Sequence, residues 1–382
     1  MDKKTKYIHS GEELISGVKP ISFPIYLTSA FSYDSLEEMA DASQDLLKYR
    51  YSRKSNPTAR ALEKKMADLE GTEDGITFST GMSAISSTLL SLLKAGDEII
   101  ALRDLYGGTF ELLTNLLTKL GIKVTLINTE DLPKLEQYLN PNTKILFIES
   151  PTNPMLKIVN IKETVEIAHN HNVIVCMDNS LASLVNQTPH DFGVDIVIYS
   201  TTKHISGHND VMGGIVLANK EICSKLRQLR VVLGGIMTPL DAWLTLRSIK
   251  TVSIRVLEEN SNALKIAQML QQCEGIAQVI YPGLPSHPQY QLAQEQMTGF
   301  GTIITFSLKP TVNISTFFKK LKILKIAVGL GGVESLIEPV SLGVLANIST
   351  SGTRENEMQF IRISVGLESP DDIFNDVAQA LT

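Results

Sequence analysis

Ser200-Thr201-Thr202-Lys203 closes a continuously apolar run, Asp195–Tyr199, and leads into His204-Ile205-Ser206-Gly207-His208, a stretch poor in surface character. A lysine at the end of a buried strand sheds its charge readily, because desolvation disfavours the ammonium. The neutral amine is then a nucleophile toward carbonyls. Ser200 and Thr202 flank Lys203 with hydroxyls that can hydrogen-bond a phosphate. One strand–turn–strand excursion upstream, Met177-Asp178-Asn179 ends another apolar run. A carboxylate there can keep a heterocyclic nitrogen protonated, although an aspartate at a strand end also serves as a turn or helix cap. Ser79-Thr80-Gly81-Met82 follows a third strand and opens a helix. Glycine at a helix N-terminus exposes backbone N–H groups to a phosphate, and the same pattern also reads as a simple cap. An amine for an aldehyde, a carboxylate for a ring nitrogen and a cradle for a phosphate are the needs of pyridoxal 5'-phosphate.

Other chemistries have less support. The sequence has no Gly-x-x-x-x-Gly-Lys-Ser/Thr loop, no His-Glu-x-x-His and no Gly-x-Gly-x-x-Gly opening a helix. His204 and His208 are spaced to share a metal on one helix face, but Gly207 lies between them and no third ligand follows, so no metal is expected. Cys176, Cys223 and Cys273 are isolated and odd in number, which fits free thiols in a reducing cytoplasm. A net charge of −6 gives no basic face for nucleic acid or an anionic membrane. The polar start, Met1-Asp2-Lys3-Lys4-Thr5-Lys6-Tyr7, lacks an apolar signal core, and runs such as Ile145-Leu146-Phe147-Ile148 are too short to span a bilayer.

These residues need elements to position them. The 382 residues are too many for one hydrophobic core, so two domains are expected. Short β-rich runs alternate with helical patterns, as in a mostly parallel α/β sheet covered by helices. Strands are expected at Ile76–Ser79, Glu98–Leu102, Lys123–Ile127, Lys144–Glu149, Val173–Met177, Asp195–Tyr199 and Ile215–Ala218. Helical patterns occupy residues 59–70, Ser83–Leu93, Thr109–Leu120 and 161–171, with a short one near Leu132–Leu139. Beyond Pro239 one long helix is expected to reach about Cys273 and to link the domains. Strands Ile303–Leu308 and Ile361–Val365 belong to a smaller α+β unit. This divides the chain into an N-terminal arm (1–50) set against a partner subunit, a large cofactor domain (51–245) and a C-terminal domain (246–382).

Ser200–Gly214 resembles the pyridoxal-lysine signature of the cysteine/methionine-metabolism enzymes, the group of cystathionine γ-lyases, γ-synthases and β-lyases and methionine γ-lyases. Tyr51-Ser52-Arg53, Asn56-Pro57-Thr58, Tyr106-Gly107-Gly108-Thr109 and Glu149-Ser150-Pro151-Thr152-Asn153-Pro154 extend the resemblance. Leu233-Gly234-Gly235-Ile236-Met237, Gly331-Gly332-Val333-Glu334-Ser335-Leu336 and Arg362-Ile363-Ser364-Val365-Gly366-Leu367-Glu368 carry it along nearly the whole chain. The resemblance implies an aspartate-aminotransferase-like fold (PLP fold type I) and homotetramers built from active dimers. It implies that Lys203 condenses with the cofactor aldehyde and shuttles protons, and that Asp178 pairs with the pyridine nitrogen. Tyr106 would stack on the ring, and Gly81, Met82, Ser200 and Thr202 would hold the phosphate. Tyr51 and Arg53 would reach the phosphate of the neighbouring subunit. Arg362, helped by Ser335 and Asn153, would clamp the carboxylate of an amino-acid substrate. Taken singly, most of these residues also fit packing or surface roles.

The reaction implied first is γ-elimination of cystathionine to cysteine, 2-oxobutanoate and ammonia. γ-Synthase, β-lyase and methionine γ-lyase activities are the alternatives, and a catalytically inactive cofactor-binding scaffold is a reading of another class. Gly108 stands where methionine γ-lyases carry a cysteine, and Glu338 resembles a glutamate of cystathionine γ-lyases. Ala59 replaces an arginine frequent in cystathionine enzymes, with Arg60 adjacent. Leu181-Ala182-Ser183-Leu184 and Glu338-Pro339-Val340-Ser341-Leu342-Gly343 depart from the family pattern on the expected substrate side.

Overall fold

Strands β1 (Asp74–Phe78), β2 (Glu98–Leu102), β3 (Lys123–Ile127), β4 (Thr143–Glu149), β5 (Ile174–Asp178), β6 (Ile196–Ser200) and β7 (Gly214–Ala218) form one sheet in the order β1-β7-β6-β5-β4-β2-β3. The structure is a computed structural model that describes residues 1–14, 17–340 and 360–382. β2 through β6 run parallel. β7 is antiparallel to both β6 and β1, so β1 again points the same way as β6. The continuous apolar runs of β2, β4 and β6 follow from burial on both faces. Helices α1 (Lys3–His9), α2 (Leu36–Gln44), α3 (Pro57–Glu70), α4 (Gly81–Leu92), α5 (Gly107–Glu111), α6 (Ile161–Asn170), α7 (Ser183–Asn186), α8 (Lys220–Leu233), α9 (Pro239–Ile249) and α10 (Val252–Gln271) belong with this sheet or lead away from it.

A second sheet contains β8 (Ile276–Ile280), β9 (Ile303–Leu308), β10 (Lys325–Ile326), β11 (Leu336–Pro339) and β12 (Phe360–Ser364), in the order β10-β11-β12-β9-β8. Each sheet has its own hydrophobic core, and α10 serves both. Val252 and Val256 pack into the first core, and Ala263, Ile266, Ala267 and Leu270 into the second. The fold is thus α/β of the aspartate-aminotransferase type, with a large mostly parallel sheet and a smaller α+β unit. No helix among the described residues is long and apolar enough to cross a membrane.

The single long helix expected after Pro239 is two helices, α9 and α10, broken at Lys250–Thr251. No proline or glycine marks the break. Arg255 supplies the reason, since its guanidinium takes the Ser248 carbonyl (3.1 Å) together with those of His204 (3.0 Å) and Ile205 (3.3 Å). The helix expected over Thr109–Leu120 is α5 followed by a π-helical stretch, Leu112–Leu117. At the N-terminus, α1 lies on its own chain, with Tyr7 buried and Lys65 Nζ donating to the Tyr7 (3.0 Å) and Ile8 (3.1 Å) carbonyls. Farther on, Ile21, Leu27 and Leu36 are exposed.

A buried ion cluster ties α3, β1 and α8 together behind the sheet. Arg60 and Arg227 grip Asp74 at 2.6 and 2.7 Å, and Arg230 meets Glu63 at 3.0 Å. Burial alone would raise the Glu63 pKa, but the fields of Arg227, Arg230 and Arg60 outweigh it and hold the group at about 2. Because that value lies below the ordinary 4.5, the stabilisation is full above about pH 4.5 and is lost as pH falls through about 2. Glu63→Gln is expected to cost about 3 kcal/mol at neutral pH, since it strands buried guanidinium charge. Thermal unfolding of both proteins across the acid range checks this: the gap between them should close toward pH 2, and a constant gap would contradict the assignment.

Candidate active site

Because β1 and β2 through β6 point one way, their carboxyl ends share one edge of the sheet. Tyr106 follows β2, Asn153 follows β4, Asp178 ends β5, Lys203 follows β6 and Gly81 follows β1. Two glycines shape this edge. Gly207 takes a positive φ (+68°), and a Cβ there would meet the Arg255 guanidinium at 1.8 Å. At Gly81 a Cβ would meet Ser200 Cβ at 2.9 Å, so only glycine brings the first turn of α4 against Ser200.

A cavity of about 1010 Å³ opens between this edge and the small domain. Tyr106, Asn153, Thr202 and Lys203 line it from one side, and Gly329, Leu336, Glu338 and Arg362 from the other. Burial depresses the Lys203 pKa and the Arg362 charge adds to that, while Asp178 and Glu338 oppose it. Arg362 Nη1 donates to Asn153 Oδ1 (3.0 Å), and Nη2 donates to the Gly329 carbonyl (3.2 Å) and pairs with the Glu338 carboxylate. Glu338 and Arg362 face each other in register across β11 and β12.

Asp178 is buried, and its Oδ1 accepts the Ser180 N–H at 2.9 Å. Burial raises its pKa, against the Ser180 hydrogen bonds and the Lys203 charge. A buried carboxylate without an ion-pair partner among the described residues is suited to a cationic ring nitrogen. The first-turn N–H groups of Gly81 and Met82 lie beyond the reach of helical bonds, and Gly81 sits against Ser200. Thr80 caps α4 by accepting from Ser83 N at 2.9 Å. The Thr202 hydroxyl accepts from Gly213 N (3.0 Å) and lines the cavity. A phosphate cradle, an unpaired acid and a desolvated lysine on one sheet edge fit pyridoxal phosphate.

Some expected residues lie elsewhere. Tyr51 is 46% exposed, and Arg53 stacks its guanidinium 5.6 Å from the Tyr51 ring and donates to the Val231 carbonyl at 2.6 Å, away from the cavity of its own chain. Asp178, Gly81, Met82 and Ser200 stand at the sheet edge without lining the cavity, and Ser335 does not line it either. Its hydroxyl donates to Glu368 (2.7 Å) and accepts from Gly366 N (2.8 Å). Arg60 is committed to Glu63 and Asp74 and does not stand in for an arginine at Ala59. Leu181 packs with Leu156, Ile280, Ile303, Leu330 and Phe360 between the domains. Ser341, Leu342 and Gly343 lie outside the described residues. His204 uses both ring nitrogens, against Thr302 Oγ1 (2.9 Å) and the Ser180 carbonyl (3.2 Å); burial, reinforced by Arg255 and Lys203 and opposed by the Ser180 bond, lowers its pKa to about 4, which leaves the ring neutral and without a free nitrogen for a metal.

The roles of two residues escaped the sequence reading. Ser180 holds Asp178 through its N–H and accepts Ser200 N on its hydroxyl (2.6 Å), joining the acid to the lysine strand. The Asp-x-Ser spacing of an Asx-turn is its signal. Glu149, which opens the motif Glu149–Pro154 with no role assigned to it there, accepts the Tyr106 N–H at 3.0 Å.

Residues 4–382 match the family described as Cys/Met metabolism PLP-dependent enzyme. The chain is 39% identical to the cystathionine beta-lyase of Lactococcus lactis over 381 residues, covering 99% of this chain and 98% of that protein. It is 37% identical to the cystathionine gamma-lyase of Bacillus subtilis over 388 residues, covering 100% and 99%. The crystal structure of cystathionine gamma-lyase from Lactobacillus plantarum complexed with L-serine superimposes with a TM-score of 0.91 at 36% identity, covering 100% of this chain and 98% of that one.

Proposed function

This chain belongs to the Cys/Met metabolism PLP-dependent enzyme family, and from that premise we propose that it is a carbon–sulfur lyase that cleaves cystathionine by γ-elimination to cysteine, 2-oxobutanoate and ammonia. The observation that carries the choice of cystathionine as substrate is the ion pair of Glu338 with Arg362 in the cavity that holds Lys203. Cystathionine is an amino acid at both ends. Arg362 takes the near carboxylate through its planar fork. Glu338, released from the guanidinium as that carboxylate arrives, turns its charge to the far ammonium. A one-ended thioether such as methionine has no group for it.

Bound at this edge, pyridoxal phosphate supplies an electron sink for the negative charge left at the substrate α-carbon. Lys203 Nζ is the covalent anchor and the base that moves the α-proton and then the β-proton; its lowered pKa favours the neutral amine. Asp178 keeps the ring nitrogen charged, and Tyr106 covers the ring face. Gly81, Met82, Ser200 and Thr202 hold the phosphate. Tyr51 and Arg53 act across a dimer, and the working form is a cytoplasmic homotetramer of such dimers. The exposure of Tyr51 (46%) beside Arg53, away from the cavity of its own chain, supports their action across such a dimer.

β-Elimination of the same substrate to homocysteine, pyruvate and ammonia is a second reading, favoured by the 39% identity to the relative named cystathionine beta-lyase. Product analysis with cystathionine decides between them. Cysteine with 2-oxobutanoate supports the first reading, and homocysteine with pyruvate transfers the protein to the second. Cofactor colour without keto acid from any sulfur amino acid would indicate a scaffold. The role of Glu338 has its own test. Glu338→Gln is expected to lower kcat/KM for cystathionine about tenfold or more, as loss of a charged hydrogen bond does. Methionine turnover should stay within about threefold, since Glu338 then makes no bond to the substrate. Equal losses on both substrates would refute the role.

A further inference from the structure

We propose that Glu149 is a positioning residue that sets the Tyr106 ring over the cofactor through one carboxyl-to-backbone bond, an inference that rests on the cofactor site proposed above. Glu149 ends β4 and pairs in register with Asp178 at the end of β5, and both side chains are buried. Its Oε2 accepts the Tyr106 N–H at 3.0 Å. Tyr106 opens α5 with no side-chain cap, and its ring is half exposed in the cavity. The ring leans over Gly108, where a Cβ would stand 2.7 Å from Tyr106 Cε1 and 3.1 Å from Met82 Sδ. A solvent-facing ring is therefore tied to the sheet by a bond from its own backbone to a buried acceptor.

The charges around Glu149 decide which form of the carboxyl does this. It faces Asp178 on β5, Asp104 beyond β2 and Arg362 on β12. Asp104 is itself paired with Lys157 at 3.0 Å. Two buried carboxyls side by side do not both ionise. Burial first, and then Asp178, push Glu149 well above the usual carboxyl range, against the Tyr106 bond and the Arg362 charge. These influences favour the neutral carboxyl at Glu149, whose carbonyl-like oxygen accepts the Tyr106 N–H, and leave Asp178 to face the ring nitrogen. A glutamine, with an uncharged acceptor at the same reach, should do the same work.

The test compares Glu149→Gln, Glu149→Asp and Glu149→Ala as holoenzymes, by cofactor dissociation constant and by the pH midpoint of the visible absorption band. Gln should stay within about twofold of wild type with an unmoved midpoint, whereas Asp and Ala should bind the cofactor about tenfold more weakly and shift the midpoint. Should Ala fail to fold by circular dichroism, the order Gln above Asp carries the test alone. Glutamine as weak as alanine or aspartate, or alanine equal to wild type, would overturn the proposal. A wild-type protein that takes no label at Lys203 on borohydride reduction would instead sink the cofactor site itself.

Discussion

Lys203→Ala is expected to lower kcat by at least about 10³- to 10⁴-fold, because it removes both the anchoring amine and the base that moves the substrate's protons. The loss should be chemical rather than structural. Nothing in the fold depends on the ammonium, which makes no hydrogen bond among the described residues. The loop is held by its backbone, through Gly207 N to the Lys203 carbonyl (2.8 Å) and Thr201 N to the Gly213 carbonyl (3.0 Å). Borohydride reduction followed by peptide mapping should label wild type at Lys203 and leave the variant unlabelled. Lys203→Arg should be as inactive as alanine, since it keeps the charge but offers no nucleophilic amine. Alanine retaining more than about a tenth of wild-type turnover would overturn the assignment.

Arg362→Leu is expected to lower kcat/KM by on the order of 10³, mostly through KM, as truncating one partner of a buried charge pair does. Four groups lose their partner at once: the incoming carboxylate, Asn153, the Gly329 carbonyl and Glu338. Glu338 then faces the cavity as an uncompensated charge that repels the carboxylate the enzyme must bind. Arg362→Lys should recover only part of the loss, because a single ammonium cannot reproduce the planar fork. The cofactor should stay bound in both variants, since Arg362 touches none of the groups assigned to the phosphate or the ring nitrogen, although Arg362→Leu removes a charge that helps depress the Lys203 pKa. A kcat/KM within about tenfold of wild type, or release of cofactor, would contradict the role.

The buried strands were legible in the sequence because burial on both faces leaves a continuous apolar run. Glu98–Leu102 and Ile303–Leu308 stand where that pattern sets them. The same logic located Asp178 and Lys203, as a parallel sheet lines up its carboxyl ends and each residue abuts one. The cap of α4 was equally readable, since Thr80 and Gly81 are local chemistry. Reading failed where a tertiary contact intervened, as when Arg255, held by the remote His204 and Ile205 carbonyls, also claims the Ser248 carbonyl and splits a helix whose periodicity runs on.

What the amino-acid order determined by itself was local: which segments are strands, which residues cap helices, and which reactive groups follow an apolar run. Tertiary structure alone decided partnership. It inserted antiparallel β7 between β1 and β6, which brings Gly81 against Ser200. It set Glu338 opposite Arg362 across two strands far apart in sequence, and Glu149 beneath Tyr106. The physical reason is range. Propensity and burial act over a few residues, whereas an ion pair or a shared hydrogen bond exists only once the backbone has brought remote segments within about 3 Å.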